Sequence, residues 1–335
     1  MDSLTHIVLG GCIGEALLGK RLGKKAMLMG AMAQSIPDID FVASFWMDTT
    51  HELIAHRGIT HSFLFVICLS PLLGLLSRKT VMPRLDLLTW SAFFMLEMIV
   101  HLFLDAFNNY GVGWFEPFSN MRISFNSLYV ADPFFTLFPT LAFAILLMTR
   151  SKTILRKKWW MGALVICSLY LLVCVINKLR IDNHALRSFA LQNIPHEKYF
   201  TTPAPLQSFL WMVVAGDENG YYVGYRSVFD SDPTIAYKFF PANEHLLGSV
   251  TNQVEVLNLK EFSQGFYTLE QRNDMVVFND LRFGQVIGWH NPNESFVFHY
   301  FLDHPGKNQL IVQRGRFAGW NYEVLKSFLR RIKGN

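Results

Sequence analysis

The chain has 335 residues, 51% of them hydrophobic and 17% charged, with a formal net charge of +4; this is more apolar than an ordinary soluble protein and excludes a disordered or highly charged chain. No basic surface interleaved with aromatics, of the kind that reads nucleic acid, is visible, so the positive balance is assigned to loops beside a membrane and no nucleic-acid partner is expected. Cys12, Cys68, Cys167 and Cys174 all fall in apolar segments and form neither a disulfide framework nor a Cys-x-x-Cys metal site.

A bilayer core about 30 Å thick needs roughly 20 mostly apolar residues per crossing helix, and fewer inside a bundle. In chain order, Leu4 to Leu18 and Ala26 to Ile36 are apolar, rich in Gly, Ala and Met, and parted by Lys20, Arg21, Lys24 and Lys25. Their small residues permit close helix contact. The N-terminus carries Asp2 and His6 and reaches its basic cluster only after the apolar stretch, the reverse of a secretory signal, so this segment is expected to be retained. Phe63 to Leu76 is a short third segment. Leu87 to Phe107 is long enough to cross although it contains Glu97, His101 and Asp105, and Phe134 to Met148 follows it. Trp159 to Ile176 is uninterrupted, with Lys178 and Arg180 just beyond.

Residues 178 to 194 predict a helical connector. From about Pro195, Pro, Asn, Asp, Glu and Gly interrupt short aromatic and β-branched stretches. Phe209 to Val214, Tyr221 to Val228, Ala236 to Phe240, Phe266 to Leu269, Met275 to Phe278, Phe296 to Phe301 and Leu310 to Gln313 predict strands, and Tyr322 to Ile332 a final helix. The expected fold class is therefore an α-helical polytopic membrane domain of about six helices over residues 1 to 180, the first ones either crossing or only partly embedded. A soluble, β-rich α+β domain follows over residues 181 to 335.

Basic residues set the orientation. Lys20, Arg21, Lys24 and Lys25, then Arg78, Lys79 and Arg84, then Arg150, Lys152, Arg156, Lys157 and Lys158 occupy alternate connections, which are expected to be cytoplasmic. The connections 37 to 61 and 108 to 131 carry only Arg57 and Arg122 as strong bases, and are expected outside with the C-terminal domain. This assignment gathers His6, Asp38, Asp40, His56, His61, His101 and Asp105 at one membrane level, as a ligand pool for a divalent metal.

Within the pool, His101 and Asp105 are four apart on one helix face and can reach one ion. Ionisable groups at such depth cost on the order of 2 to 3 kcal/mol and persist where they face a cavity, a partner or an ion. Glu97 is a further turn back on that face. Pro37-Asp38-Ile39-Asp40 opens a turn with two carboxylates. In His56-Arg57-Gly58-Ile59-Thr60-His61-Ser62 two imidazoles flank a glycine, Thr60 or Ser62 can cap the next helix, and Arg57 suits a phosphate or carboxylate. Asn108-Asn109-Tyr110-Gly111, Pro117-Phe118-Ser119, Arg122 and Asp132-Pro133 suggest a lid, with Arg122 a second anion contact. His184, His196, His245, His290, His299 and His304 show no metal spacing. Neither a G-x-G-x-x-G after a strand nor a P-loop is present, so no nucleotide cofactor is indicated.

Together, His6, Pro37-Asp38-Ile39-Asp40, the His56 to Ser62 element, His101-x-x-x-Asp105, Tyr110-Gly111, Pro117-Phe118-Ser119 and Asp132-Pro133 resemble the bacterial inner-membrane family related to YdjM, a family of unknown function grouped with metal-dependent hydrolases. The resemblance covers about residues 1 to 180, and His-Arg-Gly-x-Thr-His-Ser is its most specific part. It implies a multi-pass protein of the inner (cytoplasmic) membrane and a distant similarity to zinc-dependent phospholipase C and P1-type nucleases, with His101-x-x-x-Asp105 the matching feature. The later His and Glu ligands of a three-metal cluster are absent from the chain, so the resemblance implies one or two ions, zinc by preference.

The expected function is a membrane-bound metal-dependent hydrolase acting on a phosphoester of a lipid or lipid-linked substrate, with the bilayer as its other partner. The ion activates water, Asp40 takes its proton, and Arg57 or Arg122 stabilises the anionic phosphoester. Two alternatives stand beside it. An ion-coupled transporter places such residues near the midplane with access from both sides. A non-catalytic metal-stabilised scaffold closes the coordination shell with protein ligands.

Overall fold

Aspartates and a serine start most of the N-terminal helices. Asp2 accepts from the Thr5 amide to open α1 (Ser3–Leu22), and α2 (Lys24–Ser35) follows across Gly23, whose φ of 59° suits glycine. A short 3-10 segment, Pro37–Phe45, leads to α3 (Thr49–Ala55), and a second, Ile59–His61, ends at Ser62. Ser62 caps α4 (Phe63–Thr80), Asp86 caps α5 (Leu87–Ala106), and Asp132 caps α6 (Pro133–Met148) with Pro133 in its first turn. The last helix of this series is α7 (Ile154–Gln192). The computed structural model describes residues 1–150, 154–304, 306, 308, 317 and 319–334.

Each of the six apolar segments is thus helical. By length and composition three of them, α4, α5 and α7, are long and apolar enough to cross a membrane, and α6 is apolar but only 16 residues long. The expectation of about six crossings therefore stands as three candidate spans. At about 1.5 Å per residue, the 39 residues of α7 exceed a bilayer core. No Gly or Pro interrupts 177–192, so span and connector are one helix, ending where Asn193 turns left-handed at φ 51°.

The described residues fall into two compact units, Met1–Ala43 with Ala55–Cys174, and Ser44–Ile54 with Val175–Asn335. In the first, α1 and α2 approach at backbone distance. A Cβ at Gly14 would lie 2.2 Å from the Ala26 carbonyl oxygen, and one at Gly30 would lie 2.1 Å from that of Gly10. Only glycine permits this contact. Next to Gly14 on α1, Glu15 forms a two-pronged ion pair with Arg156, Nε to Oε1 at 2.7 Å and Nη2 to Oε2 at 2.6 Å. Arg156 Nη1 also donates to the Leu146 and Thr149 carbonyls, tying α1 and α7 to the end of α6.

In the second unit, β1 (Lys198–Pro203), β2 (Leu210–Gly216), β3 (Gly220–Ser227) and β4 (Tyr237–Pro241) form an antiparallel sheet in sequence order. A second antiparallel sheet contains β5 (Tyr267–Arg272), β6 (Met275–Gln285) and β7 (Phe296–Phe301). Strand β2 is buried on both faces. Trp211, Val213 and Ala215 pack with Ile181, Ala185 and Phe189 of α7, whereas Met212 and Val214 pack with Leu281 and Phe296. Helices α8 (Gln253–Phe262) and α9 (Tyr322–Ile332) complete the described elements. The strand expected at Leu310 to Gln313 lies outside the described residues. The sequence pattern missed β1, a short strand ending in Pro203, and α8, whose buried Val256, Leu259 and Phe262 do follow helical spacing.

The Glu15–Arg156 pair is almost fully buried, so removing one partner leaves an uncompensated charge. Arg156→Leu is expected to destabilise the first unit by about 3–5 kcal/mol, read as a lowered unfolding temperature in detergent. The double variant with Glu15→Leu should recover much of the loss.

Candidate metal centre

The ends of four helices converge. His6 lies in the first turn of α1, Asp38 just beyond α2, His61 just before α4, and His101 and Asp105 in the last turns of α5. Lys20 and Arg21, Lys24, and Arg78 and Lys79 lie at the opposite ends of α1, α2 and α4.

Asp38, His61, His101 and Asp105 each present one ligand atom, and these atoms all lie within 4.8 Å of one another. Five of the six separations are tighter than that bound. His61 Nε2 and His101 Nε2 are 3.1 Å apart. Asp38 Oδ1 is 3.4 Å from the first and 3.5 Å from the second, and Asp105 Oδ2 is 3.5 and 3.6 Å away. A tetrahedron with metal bonds of about 2.0–2.1 Å has edges of about 3.3–3.4 Å, so these four donors fit a zinc-sized ion.

Tautomer chemistry reinforces the fit. His101 Nδ1 lies 2.6 Å from the carbonyl oxygen of Gln34, which can only accept, so Nδ1 carries the proton and Nε2 of the neutral ring is a lone pair. His61 Nδ1 faces Thr60 Oγ1 at 3.0 Å and Asp40 Oδ2 at 3.4 Å, while the Thr60 hydroxyl donates to that same carboxylate oxygen at 3.2 Å. With both outer nitrogens donating, two lone pairs and two carboxylate oxygens confront one another in a buried space. A cation resolves that conflict, and the carboxylate–histidine–metal chain is the arrangement that fixes a ligand's ring.

The other residues of the expected pool surround this group. His6 stacks on His101 with ring centroids 3.8 Å apart and sets Nε2 3.2 Å from Asp105 Oδ1, leaving Oδ2 toward the centre. The Met1 amino group also contacts Asp105 Oδ1. Asp40 receives His56 Nδ1 at 3.1 Å and the Arg57 amide at 2.7 Å besides its Thr60 and His61 contacts. Burial works to raise the Asp40 carboxyl, but hydrogen bonds from His56 and His61 outweigh it and hold the group well below the usual carboxylate range.

Arg57 is buried and left-handed at φ 61°, a conformation costing roughly 1–2 kcal/mol. Its Nε is 3.0 Å from Asp105 Oδ2, Nη1 donates to Asn108 Oδ1 at 2.8 Å, and its guanidinium lies 4.8 Å from the Tyr110 ring centre. Arg122 Nη1 donates to the His56 carbonyl at 2.8 Å and Nη2 is 3.7 Å from Glu116. The 113–122 loop is held on the histidine turn by this contact and by the Gly113 amide donating to the Arg57 carbonyl at 2.8 Å. Glu97 is buried against Gly30, outside the four-donor group. Sequence reasoning missed Gln34 and the orienting role of Thr60. A glutamine in an otherwise Gly-, Ala- and Met-rich helix, just before Pro37, was the available signal for the first.

Residues 1–181 match the family described as YdjM inner membrane protein. The chain belongs to the YdjM family. The matched stretch contains the whole four-donor group and its surrounding residues. Over 233 residues the chain is 28% identical to the uncharacterized protein YfhP of Bacillus subtilis (strain 168), covering 67% of this chain and 68% of YfhP. Over 122 residues it is 30% identical to the inner membrane protein YbcI of Escherichia coli (strain K12), covering 36% of this chain and 69% of YbcI. No solved structure matches this YdjM-family chain.

Elemental analysis of the purified protein should find about one divalent ion per chain, the number the four donors can hold. His61→Ala or His101→Ala should abolish retention. Asp40→Asn, which keeps every first ligand, should weaken affinity by about 10–100-fold; undiminished metal in all three variants would refute the assignment.

Proposed function

We propose that this protein is a membrane-bound, metal-dependent hydrolase acting on a phosphoester of a lipid or lipid-linked substrate. The observation that carries the reading is the pair of imidazole Nε2 atoms held together with two carboxylate oxygens while each Nδ1 is already engaged. A divalent ion in such a site supplies Lewis acidity and lowers the pKa of bound water.

The protein's own residues divide the remaining work. His61, His101, Asp38 and Asp105 would hold the ion, and Asp38, whose side chain is 26% exposed against 0% for the other three, marks the side of approach. Asp40 is engaged by four donors, which favours an orienting role over the proton acceptor expected from its position in the chain. His56 is better placed for that step: Nδ1 is held by Asp40, its side chain is 40% exposed, and its ring centroid is 6.3 Å from that of His61. Arg57 contributes positive charge at Asp105, and Arg122 steadies the 113–122 loop through the His56 carbonyl. His6 orients Asp105. The centre and the second unit are proposed to lie on the extracytoplasmic face, supported by basic residues at the opposite helix ends.

One observation favours a second reading, a metal-stabilised scaffold: four protein donors already complete a tetrahedron, whereas catalytic zinc sites keep a position open. Protein reconstituted in phospholipid nanodiscs distinguishes the two. On the hydrolase reading, phosphorylated head groups are released, chelation stops release and zinc restores it, and His56→Ala lowers the rate by about 10²–10⁴-fold with metal content unchanged. Full metal content with no release from any phosphoester tested would support the scaffold. Reporter fusions at residues 22 and 81 should report a cytoplasmic location, and an external signal at either would overturn the orientation.

A further inference from the structure

A cleft of about 450 Å³ opens between α1, α5 and α7 of the first unit, within the volume range of small-molecule sites. Leu9 and Ile13 of α1 with Leu104 of α5 form its floor; Ser168 is the only residue with a polar side-chain oxygen or nitrogen along its walls. Such a lining offers nothing to a polar ligand. Leu17, Leu96 and Phe103 are each more than two-fifths exposed, so the cleft opens sideways from helices that include two candidate membrane spans. In a bilayer crossed by α5 and α7, that opening would face hydrocarbon.

Its length and position narrow the occupant further. Along α5 the lining runs from Leu96 to Phe107, about 16 Å at 1.5 Å per residue, against about 15 Å for one leaflet of a 30 Å core. One end, at Leu104 and Phe107, lies at the level of Asp105 on α5, and Leu9 is one turn from His6 on α1. The other end, at Leu96 and Leu17, lies deeper along the same helices. We propose that this cleft holds one acyl chain of a glycerophospholipid, with the chain running into the bilayer and the phosphorylated head at the level of the metal centre. That the bound lipid is also the substrate rests on the hydrolase reading above; occupancy of the cleft does not.

Full-length protein in nanodiscs containing phosphatidylglycerol with a diazirine on one acyl chain, irradiated and mapped by peptide mass spectrometry, tests the assignment. Adducts are expected on the α5 and α7 lining, above the level on Leu64, Ile67 and Leu72 of α4, which are exposed and not part of this cleft's lining. Ala16→Phe combined with Ser168→Phe should fill the space and reduce those adducts to the α4 level while metal content is retained. Labelling spread evenly over α4, α5, α6 and α7 in the wild type would overturn the site, and so would concentrated labelling that persists in a folded, metal-bearing filled variant. Concentrated, fill-sensitive labelling without head-group release would sustain the acyl-chain site and sink the phosphoesterase reading.

Discussion

Two histidine nitrogens that cannot donate to each other are the constraint on which the centre depends. His101 is committed through Nδ1 to a backbone carbonyl, and His61 through Nδ1 to Thr60 and Asp40. Their Nε2 lone pairs, added to Asp38 and Asp105, make a buried pocket of negative potential that is costly without a cation. The bundle around this pocket fixes rings and carboxylates in place, so an ion held there would require little reorganisation. Arg57 supplies the remaining charge from within. Because its guanidinium touches one of the four donor oxygens, it is part of the electrostatic balance of this group, and its left-handed backbone keeps the amide on Asp40 at the same time.

That geometry depends on how closely α1 and α2 approach. Gly10, Gly14 and Gly30 remove the side chains that would hold the helices apart, and this brings Gln34 against Gly10 near the His6 and His101 rings. The small residues of the N-terminal segments therefore belong to the centre's architecture as much as to helix packing. About two and a half turns along α1 from His6, Glu15 performs the complementary task with Arg156, joining α1 to α7 through a pair that has few alternatives in an apolar setting. One end of the bundle is organised for an ion and the other for mutual neutralisation.

Much of this was legible in the sequence because ligands and helix boundaries coincide. His101 and Asp105 share a helix face through simple periodicity, and Pro37 and Ser62 mark where α2 ends and α4 begins, leaving Asp38 and His61 at neighbouring termini. Hydropathy identified the helical segments, but could not tell a crossing helix from a short apolar one packed in the bundle, which is why three candidate spans stand where about six were expected. Roles within the ligand pool were not legible. Whether Asp40 orients or accepts a proton depends on donors from four residues converging on it, and no spacing rule shows that His56 remains half-open while Arg122 turns toward the carbonyl of His56. The Glu15–Arg156 pair was equally hidden, since the two residues stand far apart in the chain and each reads alone as a charge near a helix end.

The comparisons bear on where the chemistry resides. The alignment with YfhP spans 233 residues, more than the YdjM match contains, and so includes part of the β-rich unit. YbcI differs in size: 122 aligned residues already make up 69% of it, so the whole of YbcI is no longer than the YdjM-matched stretch of this chain. A relative of that length has no room for both units. If the centre is what the family shares, its donors and their orienting residues must lie outside the β-rich unit, as they do here: His6, Gln34, Asp38, Asp40, His56, Thr60, His61, His101 and Asp105 all lie in the first unit. Yet the segment between the two ligand-bearing turns, Ser44–Ile54, groups with the second unit, where Asn258 Nδ2 donates to the buried Thr50 hydroxyl. The loop that joins Asp40 to His56 is therefore divided between the units, its ends lying in the first and Ser44–Ile54 in the second.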